Sequence, residues 1–363
     1  MTRIAIFLTS LDGGGAERSM VNLMRGLVAQ NVQVDLVLVK REGPYLRLVP
    51  PQVRIIDFDQ PRLLMSLPDL VRYLRRERPE ALLSSLEDTN VIAILARFLA
   101  RVPTRVVVNV QNTVSQEHRY AASLKKRLAP QLARLFYPLA DAIVPVSKGV
   151  AQDLTQLGLP AKQIVVVNNP VVTPELHDRA AEPLDHPWFV PGQPPVILAV
   201  GRLDRQKDFP TLIRAFAQVY QQVSARLLIL GEGQDRPELE SLVQSFNLTE
   251  AVSLPGFVDN PYAYMANAAV LVLSSLYEGL PTVLIEAMAS GTAVVATDCP
   301  SGPVEILNHG QYGPLVKIGD VEGLAQAIVR TLQDPPNLKV IQERAAEFSV
   351  QRSVERYREV LGV

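Results

Sequence analysis

The sequence predicts two doubly wound α/β domains facing across a cleft. Three observations carry this. Short continuous apolar and β-branched runs alternate with longer amphipathic ones along the whole chain, the pattern of parallel strands covered by helices on both faces. The chain has 363 residues, 48% of them hydrophobic, enough for two domains that each bury a core. Mid-chain the alternation stops once, where Pro170, Pro174, Pro183, Pro187, Pro191, Pro194 and Pro195 crowd together. Such a stretch cannot hold a helix or a central strand and reads as an interdomain linker.

In the first half the strand-like runs are Ile4–Thr9, Val34–Val39, Val53–Phe58, Ala81–Ser84, Arg105–Val110, Ala142–Val146 and Ile164–Asn168. In the second they are Val196–Val200, Arg226–Leu230, Val252–Leu254, Val270–Leu273, Ala293–Thr297 and Gly313–Val316. Helical periodicity marks Ser19–Gln30, Asp208–Gln221, Pro237–Phe246 and a terminal Ser349–Leu361, whose Val354, Tyr357, Val360 and Leu361 form an apolar stripe. The expected division is a domain over 1–175, a linker over 176–195, a domain over 196–345 and a helix within 346–363 that crosses back to the first domain. Ligands of such sheets sit at the carboxyl ends of the strands.

Composition excludes several classes. With 36 Lys+Arg against 37 Asp+Glu, the chain is neither a disordered polyelectrolyte nor a generic nucleic-acid binder. The single cysteine, Cys299, rules out a disulfide framework and a cysteine-based zinc site. The four histidines, His118, His177, His186 and His309, form no H-E-x-x-H pair. Met1–Leu11 lacks the apolar length and cleavage site of a signal peptide, and no segment has the ~18–20 apolar residues that span a bilayer. A soluble cytoplasmic protein is expected. The balance hides an asymmetry: residues 1–185 carry 23 Lys+Arg and 18 Asp+Glu, and the remainder the opposite excess.

Three loops carry chemistry. In Val272–Gly291 a strand ends near Ser274, a turn holds Glu278-Gly279-Leu280, and Pro281 opens a helix bearing Glu286 on its second turn. The free amides of Thr282 and Val283 suit an anion. Carboxylates beside a phosphate would repel it, so Glu278 and Glu286 better accept hydrogen bonds from hydroxyls. A nucleotide sugar, with phosphate between two hydroxylated ends, fits both demands. The plainer alternative is a glutamate before a helix and a solvated glutamate on it. Gly201-Arg202-Leu203-Asp204-Arg205-Gln206-Lys207-Asp208 follows another strand, with a glycine for backbone approach and cations for a diphosphate. A basic surface loop is its alternative. Thr9–Arg18 follows the first strand with Gly13, Gly14 and Gly15 in a row, an anion-binding turn or simply a flexible one. Its spacing is not G-x-G-x-x-G, which weakens a dinucleotide reading.

Taken in order, these loops resemble the retaining GT-B glycosyltransferases of glycosyltransferase family 4. The resemblance lies in Gly14-Gly15-Ala16-Glu17-Arg18, Gly201-Arg202 with Lys207, Gly256-Phe257-Val258, Glu278 and Glu286 within E-G-L-P-T-V-L-I-E-A-M-A-S-G, and Asp298–Glu305. It implies a GT-B fold whose second domain holds the nucleotide sugar, a UDP-sugar by family habit, and whose first holds the acceptor. Glu286 would accept from the ribose and Glu278 from the sugar. Arg202 and Lys207 would bind the diphosphate, and backbone around Gly279, Leu280, Thr282 and Val283 would hold sugar and phosphate. Phe257 and Val258 would lie against the base, with Gly201 at the start of its loop and Gly14 and Gly15 closing over the phosphates. Arg202, Lys207 and Glu278 form the implied catalytic set, with Glu278 positioning the sugar rather than attacking it. Retention, no metal and no cofactor are implied, and a hexose or N-acetylhexosamine is passed to a glycan or lipid-linked acceptor of a surface polysaccharide.

One departure stands out. Many relatives place a histidine in the loop after Arg105–Val110, where this chain has Gln111-Asn112-Thr113. Gln111, Asn112 and the nearby His118 are the acceptor-site candidates, and glutamine cannot titrate. Asp57-Phe58-Asp59 imitates a metal-binding D-x-D but lacks further ligands nearby. Arg72, Arg75, Arg76 and Arg78 cluster at one helix end. Lys125, Lys126, Arg127 and Arg134 cluster around another among leucines, which suits an anionic inner-membrane surface. A packed helix with a solvated face is the alternative. Rival functions are a GT-B-shaped sugar-nucleotide epimerase, which needs no acceptor, and a non-enzymatic sugar-binding protein.

Overall fold

The computed structural model describes residues 2–120 and 128–363. The chain forms two compact units, one from residues up to Val171 together with Ser349–Val363, the other Val172–Phe348.

The first unit is a parallel six-stranded sheet of β1 (Arg3–Leu8), β2 (Gln33–Leu38), β3 (Arg54–Asp57), β4 (Ala81–Ser85), β5 (Arg105–Val110) and β6 (Ala142–Pro145), in the order β3-β2-β1-β4-β5-β6. Its helices are α1 (Gly15–Ala29), α2 (Leu67–Glu77), α3 (Glu87–Ala100), α4 (Val114–Arg119), α5 (Ala129–Phe136) and α6 (Lys148–Gln156). The second unit repeats the plan. Its elements are α7 (Pro174–Ala180), β7 (Val196–Val200), α8 (Phe209–Tyr220), β8 (Arg226–Leu230), α9 (Arg236–Ser245), β9 (Val252–Gly256), α10 (Pro261–Asn267), β10 (Val270–Leu273), α11 (Thr282–Ala289), β11 (Ala293–Thr297), α12 (Pro303–Ile306), β12 (Leu315–Val316), α13 (Val321–Gln333) and α14 (Leu338–Ala345). The strand order β12-β11-β10-β7-β8-β9 matches the first sheet's order when counted from its own first strand. In each sheet the order in which strands are added therefore reverses once, between β1 and β4 and between β7 and β10. Such a switch point opens a crevice at the carboxyl ends, because the loops on either side turn to opposite faces.

The cores explain the apolar runs. Ile4, Ile6, Leu36, Leu83 and Val107 on the first sheet pack with Leu23, Met24 and Leu27 of α1. Ile197, Leu227, Ile229, Val270 and Val295 of the second pack with Leu212, Phe216 and Ile328. The terminal helix α15 (Val350–Leu361) belongs to the first unit's core through Val354, Tyr357, Val360 and Leu361. Arg105 Nε bonds the Val360 carbonyl at 2.7 Å, and Asn109 Nδ2 donates to Tyr357 Oη at 3.0 Å.

Three expectations need correcting. Ile164–Asn168 is not a strand: only Ile164 bridges to Ile143, and Val165 and Val167 bond β6 carbonyls without a ladder. Residues 176–195 are not a free linker but part of the second unit, and the chain passes between units at 171/172 and 348/349. Prolines did not forbid a helix there, since Pro174 occupies the first turn of α7, where its missing N–H is unneeded. Likewise Pro281 is the residue before α11 rather than its first.

Candidate active site

At the second unit's switch point the loops after β7 and β10 are laced together. The Leu276 amide donates to the Gln206 carbonyl at 2.8 Å, Gln206 Nε2 to the Tyr277 carbonyl at 2.9 Å, and Ser274 Oγ to the Lys207 carbonyl at 2.7 Å. These bonds fix the two side chains that face each other across the loops. Lys207 Nζ lies 2.6 Å from Glu278 Oε1, and the side chains are only 17% and 8% exposed. Ser275 Oγ donates to the same oxygen at 2.6 Å. Both donors share Oε1, and no described residue donates to Oε2, which is left to accept from something else. A buried pair of this kind adds little net stability, but removing one partner costs about 3–5 kcal/mol because the other charge stays buried. A Cβ on Gly201 would stand 3.0 Å from Lys207 Cε, so the lysine stem runs along the open face of that glycine.

The loop after β11 supports this arrangement from behind. Pro300 accepts from the Glu278 amide at 3.0 Å, Ser275 from Thr297 Oγ1 at 2.6 Å, and Gly279 from Ser301 Oγ at 2.9 Å, all through backbone carbonyls. Gly302, at φ +90°, packs so closely that a Cβ would meet Pro281 Cδ at 2.3 Å. The Cys299 thiol in this loop is driven well above its ordinary range by burial and by the Glu278 charge, which keeps it neutral and unreactive. Burial also raises the carboxyl of Asp208, at the end of the lysine loop.

Pro281 supplies no side-chain cap to α11, so the first-turn amides, those of Thr282 and Val283 among them, are uncapped at a helix N-terminus. Leu280, just before them in the chain, is buried. Glu286, one turn on, is 9% exposed and receives Tyr262 Oη at 3.5 Å. Arg202 is exposed and its side chain makes no hydrogen bond or ion pair with a described residue. At the end of β9, Phe257 is an exposed aromatic beside half-buried Val258. The arrangement offers a cation and open amides for an anion, with two sheltered carboxylates for hydroxyls.

In the first unit Gly14 precedes α1 and Gly15 begins it. Glu17 Oε2 would be 2.5 Å from a Cβ on Gly14, so a carboxylate leans over this glycine turn. At the end of β5, Gln111 exchanges side-chain amide bonds with Asn169, at 2.8 and 3.3 Å. Asn112 accepts from the Thr113 amide and donates to Glu117 Oε1, pinning α4, while His118 is exposed on that helix. The structure thus holds Gln111 in a network, whereas Asn112 serves its own helix. Asp57 accepts from the Arg41 and Asp59 amides, so the D-x-D triplet shapes a turn. Arg134 is exposed on α5; Lys125, Lys126 and Arg127 lie outside the described residues.

Residues 14–170 match the model of the glycosyl transferase 4-like domain, and residues 194–334 that of the glycosyl transferases group 1. An N-acetylgalactosaminyltransferase of Campylobacter jejuni, named for an N-acetylgalactosamine-N,N'-diacetylbacillosaminyl-diphospho-undecaprenol acceptor, is 31% identical over 358 residues, covering 95% of this chain and 94% of its own. The chain belongs to the group 1 glycosyltransferases. The glycosyltransferase is also similar to a lipopolysaccharide core biosynthesis glycosyltransferase of Rhizobium meliloti, 29% identical over 93% of this chain and 91% of the relative. Its fold is GT-B. Anabaena HepE in complex with UDP-glucose superposes with a TM-score of 0.80 at 21% identity over the full length of both chains. The outer core galactosyltransferase WaaB gives 0.76 at 18%, over 100% of this chain and 99% of its own.

Sequence reasoning about this glycosyltransferase missed Ser275, Tyr262, Gln206 and Ser301. The paired Ser274-Ser275 at a strand end was a readable signal. Tyr262 was not, because it reaches Glu286 from another helix.

Proposed function

We propose that the enzyme transfers a hexose or N-acetylhexosamine from a UDP-sugar to a glycan or lipid-linked acceptor, with retention of configuration and without a metal, in surface polysaccharide or glycolipid assembly. The observation that carries this reading is the Lys207–Glu278–Ser275 cluster beside the uncapped start of α11, at the second sheet's switch point. The acceptor class is supported by the undecaprenyl-linked name of the Campylobacter relative and by the lipopolysaccharide role of the Rhizobium one.

In this reading the free Oε2 of Glu278 accepts from the sugar's hydroxyls and Glu286 from the ribose. Phe257 and Val258 lie against the base, and Lys207, Arg202 and the amides of Thr282 and Val283 receive the diphosphate. In the first unit Gly14 and Gly15 present an anion-binding glycine turn, and Gln111 with its neighbours meets the acceptor. As the bond from C1 to the phosphate oxygen breaks, its electron pair goes to the diphosphate. Lys207, Arg202 and the helix dipole meet that charge while already in place, which lowers the barrier. The acceptor oxygen bonds C1 on the same face and gives its proton to the departing phosphate, so configuration is kept.

The test is titration of the enzyme, in EDTA, with UDP-, GDP- and ADP-sugars, following binding and slow donor hydrolysis. One UDP-sugar is expected to bind and to release sugar of unchanged configuration, with Glu286→Ala weakening binding about 10- to 150-fold by loss of a charged hydrogen bond. Binding that needs a divalent metal, or that ignores Glu286, overturns the site. Turnover of the donor to an epimer without acceptor identifies an epimerase instead.

A further inference from the structure

All seven large hydrophobic side chains that the first unit exposes, among the described residues, belong to one part of the molecule. Leu64 and Met65 precede α2, Phe98 and Leu99 stand near the end of α3, Leu128 precedes α5, Leu135 lies on it and Leu139 follows it. These helices form one layer: α2 packs on α3 and α3 on α5. Right-handed crossovers place this layer on the sheet face opposite α1, since the strand order reverses between β1 and β4. Phe98 is 74% exposed and Leu64 70%, values that a packed helix face does not show.

The same stretch of sequence holds most of the unit's net positive charge. Residues 61–140 carry thirteen Lys+Arg against six Asp+Glu. On α2, Leu70, Tyr73 and Leu74 are buried, while Arg72 and Arg76 point outward with side chains 75% and 83% exposed. Asp69 engages Arg72, and Glu77, which touches Arg76 at 3.5 Å, is also held by Arg3 and Arg54. Arg75 bonds the Leu99 carbonyl at 2.9 Å and so ties α2 to the end of α3. Between the helices lies a groove of about 670 Å³ lined by Leu67, Val71 and Leu99 and flanked by Arg72, Arg75 and Arg76.

We infer that the α2–α3–α5 layer is the surface by which the enzyme lies on an anionic phospholipid bilayer. The charge pattern selects this occupant, because a second copy meeting the face would set arginine against arginine, whereas lipid phosphates complement it. The placement selects the posture. Both α2 and α3 precede a strand of a parallel sheet and so run the same way, which puts Leu64 and Met65 at one end of the pair and Phe98 and Leu99 at the other. With α3 about 21 Å long, apolar groups at both ends mean that the helices lie in the plane of the interface, as amphipathic anchors do. Arginines between them keep their charge at headgroup level while their stems cover apolar surface.

The use of this surface rests on the lipid-linked acceptor of the proposed function, but vesicle binding is read without donor or acceptor, so the two fail separately. The full-length enzyme is floated with vesicles of phosphatidylglycerol and phosphatidylcholine, and with phosphatidylcholine alone, at low and high salt. Light scattering reports its oligomeric state, and circular dichroism melting reports its folding. Wild type is expected to float with the anionic vesicles only, and less at high salt. Arg72→Glu with Arg76→Glu should cut partitioning at least about 30-fold, and Leu64→Asn with Phe98→Asn should abolish it, both pairs melting like wild type. The inference is overturned if wild type ignores anionic vesicles, if both pairs float as wild type does, or if wild type is a dimer that Leu64→Asn with Phe98→Asn converts to a monomer. Should vesicle binding hold while lipid-linked acceptors go unused, the surface stands and the acceptor assignment falls.

Discussion

Ser275 and Lys207 donate to the same oxygen of Glu278, so a carboxylate that would otherwise rotate is held with one oxygen occupied and the other open. Losing the serine should loosen that carboxylate without touching the nucleotide end of the site. Ser275→Ala is therefore expected to raise KM for the donor sugar about tenfold while leaving the affinity for free UDP unchanged; a purely structural role would move both. Asp208 tests burial instead. Its carboxyl is raised by desolvation, so ionising it costs the folded state more than the unfolded one. The folded protein then holds the proton longer, and stability falls as pH rises through the window between the unfolded and the raised folded value. Asp208→Asn keeps a residue suited to φ +46° and removes that cost. The variant should melt higher than wild type at neutral pH, with the difference vanishing below the unfolded value near 3.8. Equal melting at both pH values would count against a charged Asp208.

Among the elements, α15 shows how a helix from the far end of the chain completes a unit. Gly26 of α1 lies so close to it that a Cβ would meet Val354 Cγ2 at 2.4 Å, and Tyr357 carries a hydrogen bond into the sheet through Asn109. Burial of Val354 alone is worth about 2 kcal/mol. Removing Ser349–Val363 should therefore lower hydrogen-exchange protection across β1, β4 and β5, with Val172–Phe348 left protected as before. Loss of protection in both units alike would show that the helix serves the whole chain and not the first unit. Strands were the elements most legible beforehand: Arg105–Val110, Val196–Val200, Arg226–Leu230, Val270–Leu273 and Ala293–Thr297 appear with the boundaries read from the sequence. Each is almost wholly buried, so a run of mostly apolar residues marks its extent. Ile164–Asn168 has a similar composition but is only half-buried apart from Val167 and is not a strand, because composition says nothing of whether a partner strand is in register.

At the scale of the molecule, two sheets of the same strand order come from one chain that leaves the first unit after Val171 and returns at Ser349. Each unit carries its own switch point, and the glycine loop, the lysine loop and the glutamate loop all follow strands that border one. The asymmetry of charge has a structural counterpart too. The basic excess of the first half falls within residues 61–140 of the sequence, the same stretch that holds the exposed apolar side chains of Leu64, Met65, Phe98, Leu99, Leu128, Leu135 and Leu139.

The sequence by itself determined the two parallel sheets, the family resemblance, and the loops that bear Lys207, Glu278 and Glu286, because periodicity and motif spacing are properties of contiguous residues. Only the tertiary structure decided that Lys207 and Ser275 meet on one oxygen of Glu278, that Tyr262 reaches Glu286, that the proline-rich segment packs into the second unit, and that α2, α3 and α5, with exposed apolar side chains on or next to each, pack into one layer. Each of these is a contact between segments far apart in the chain or a choice of rotamer within one. Packing sets both, and no local pattern records them.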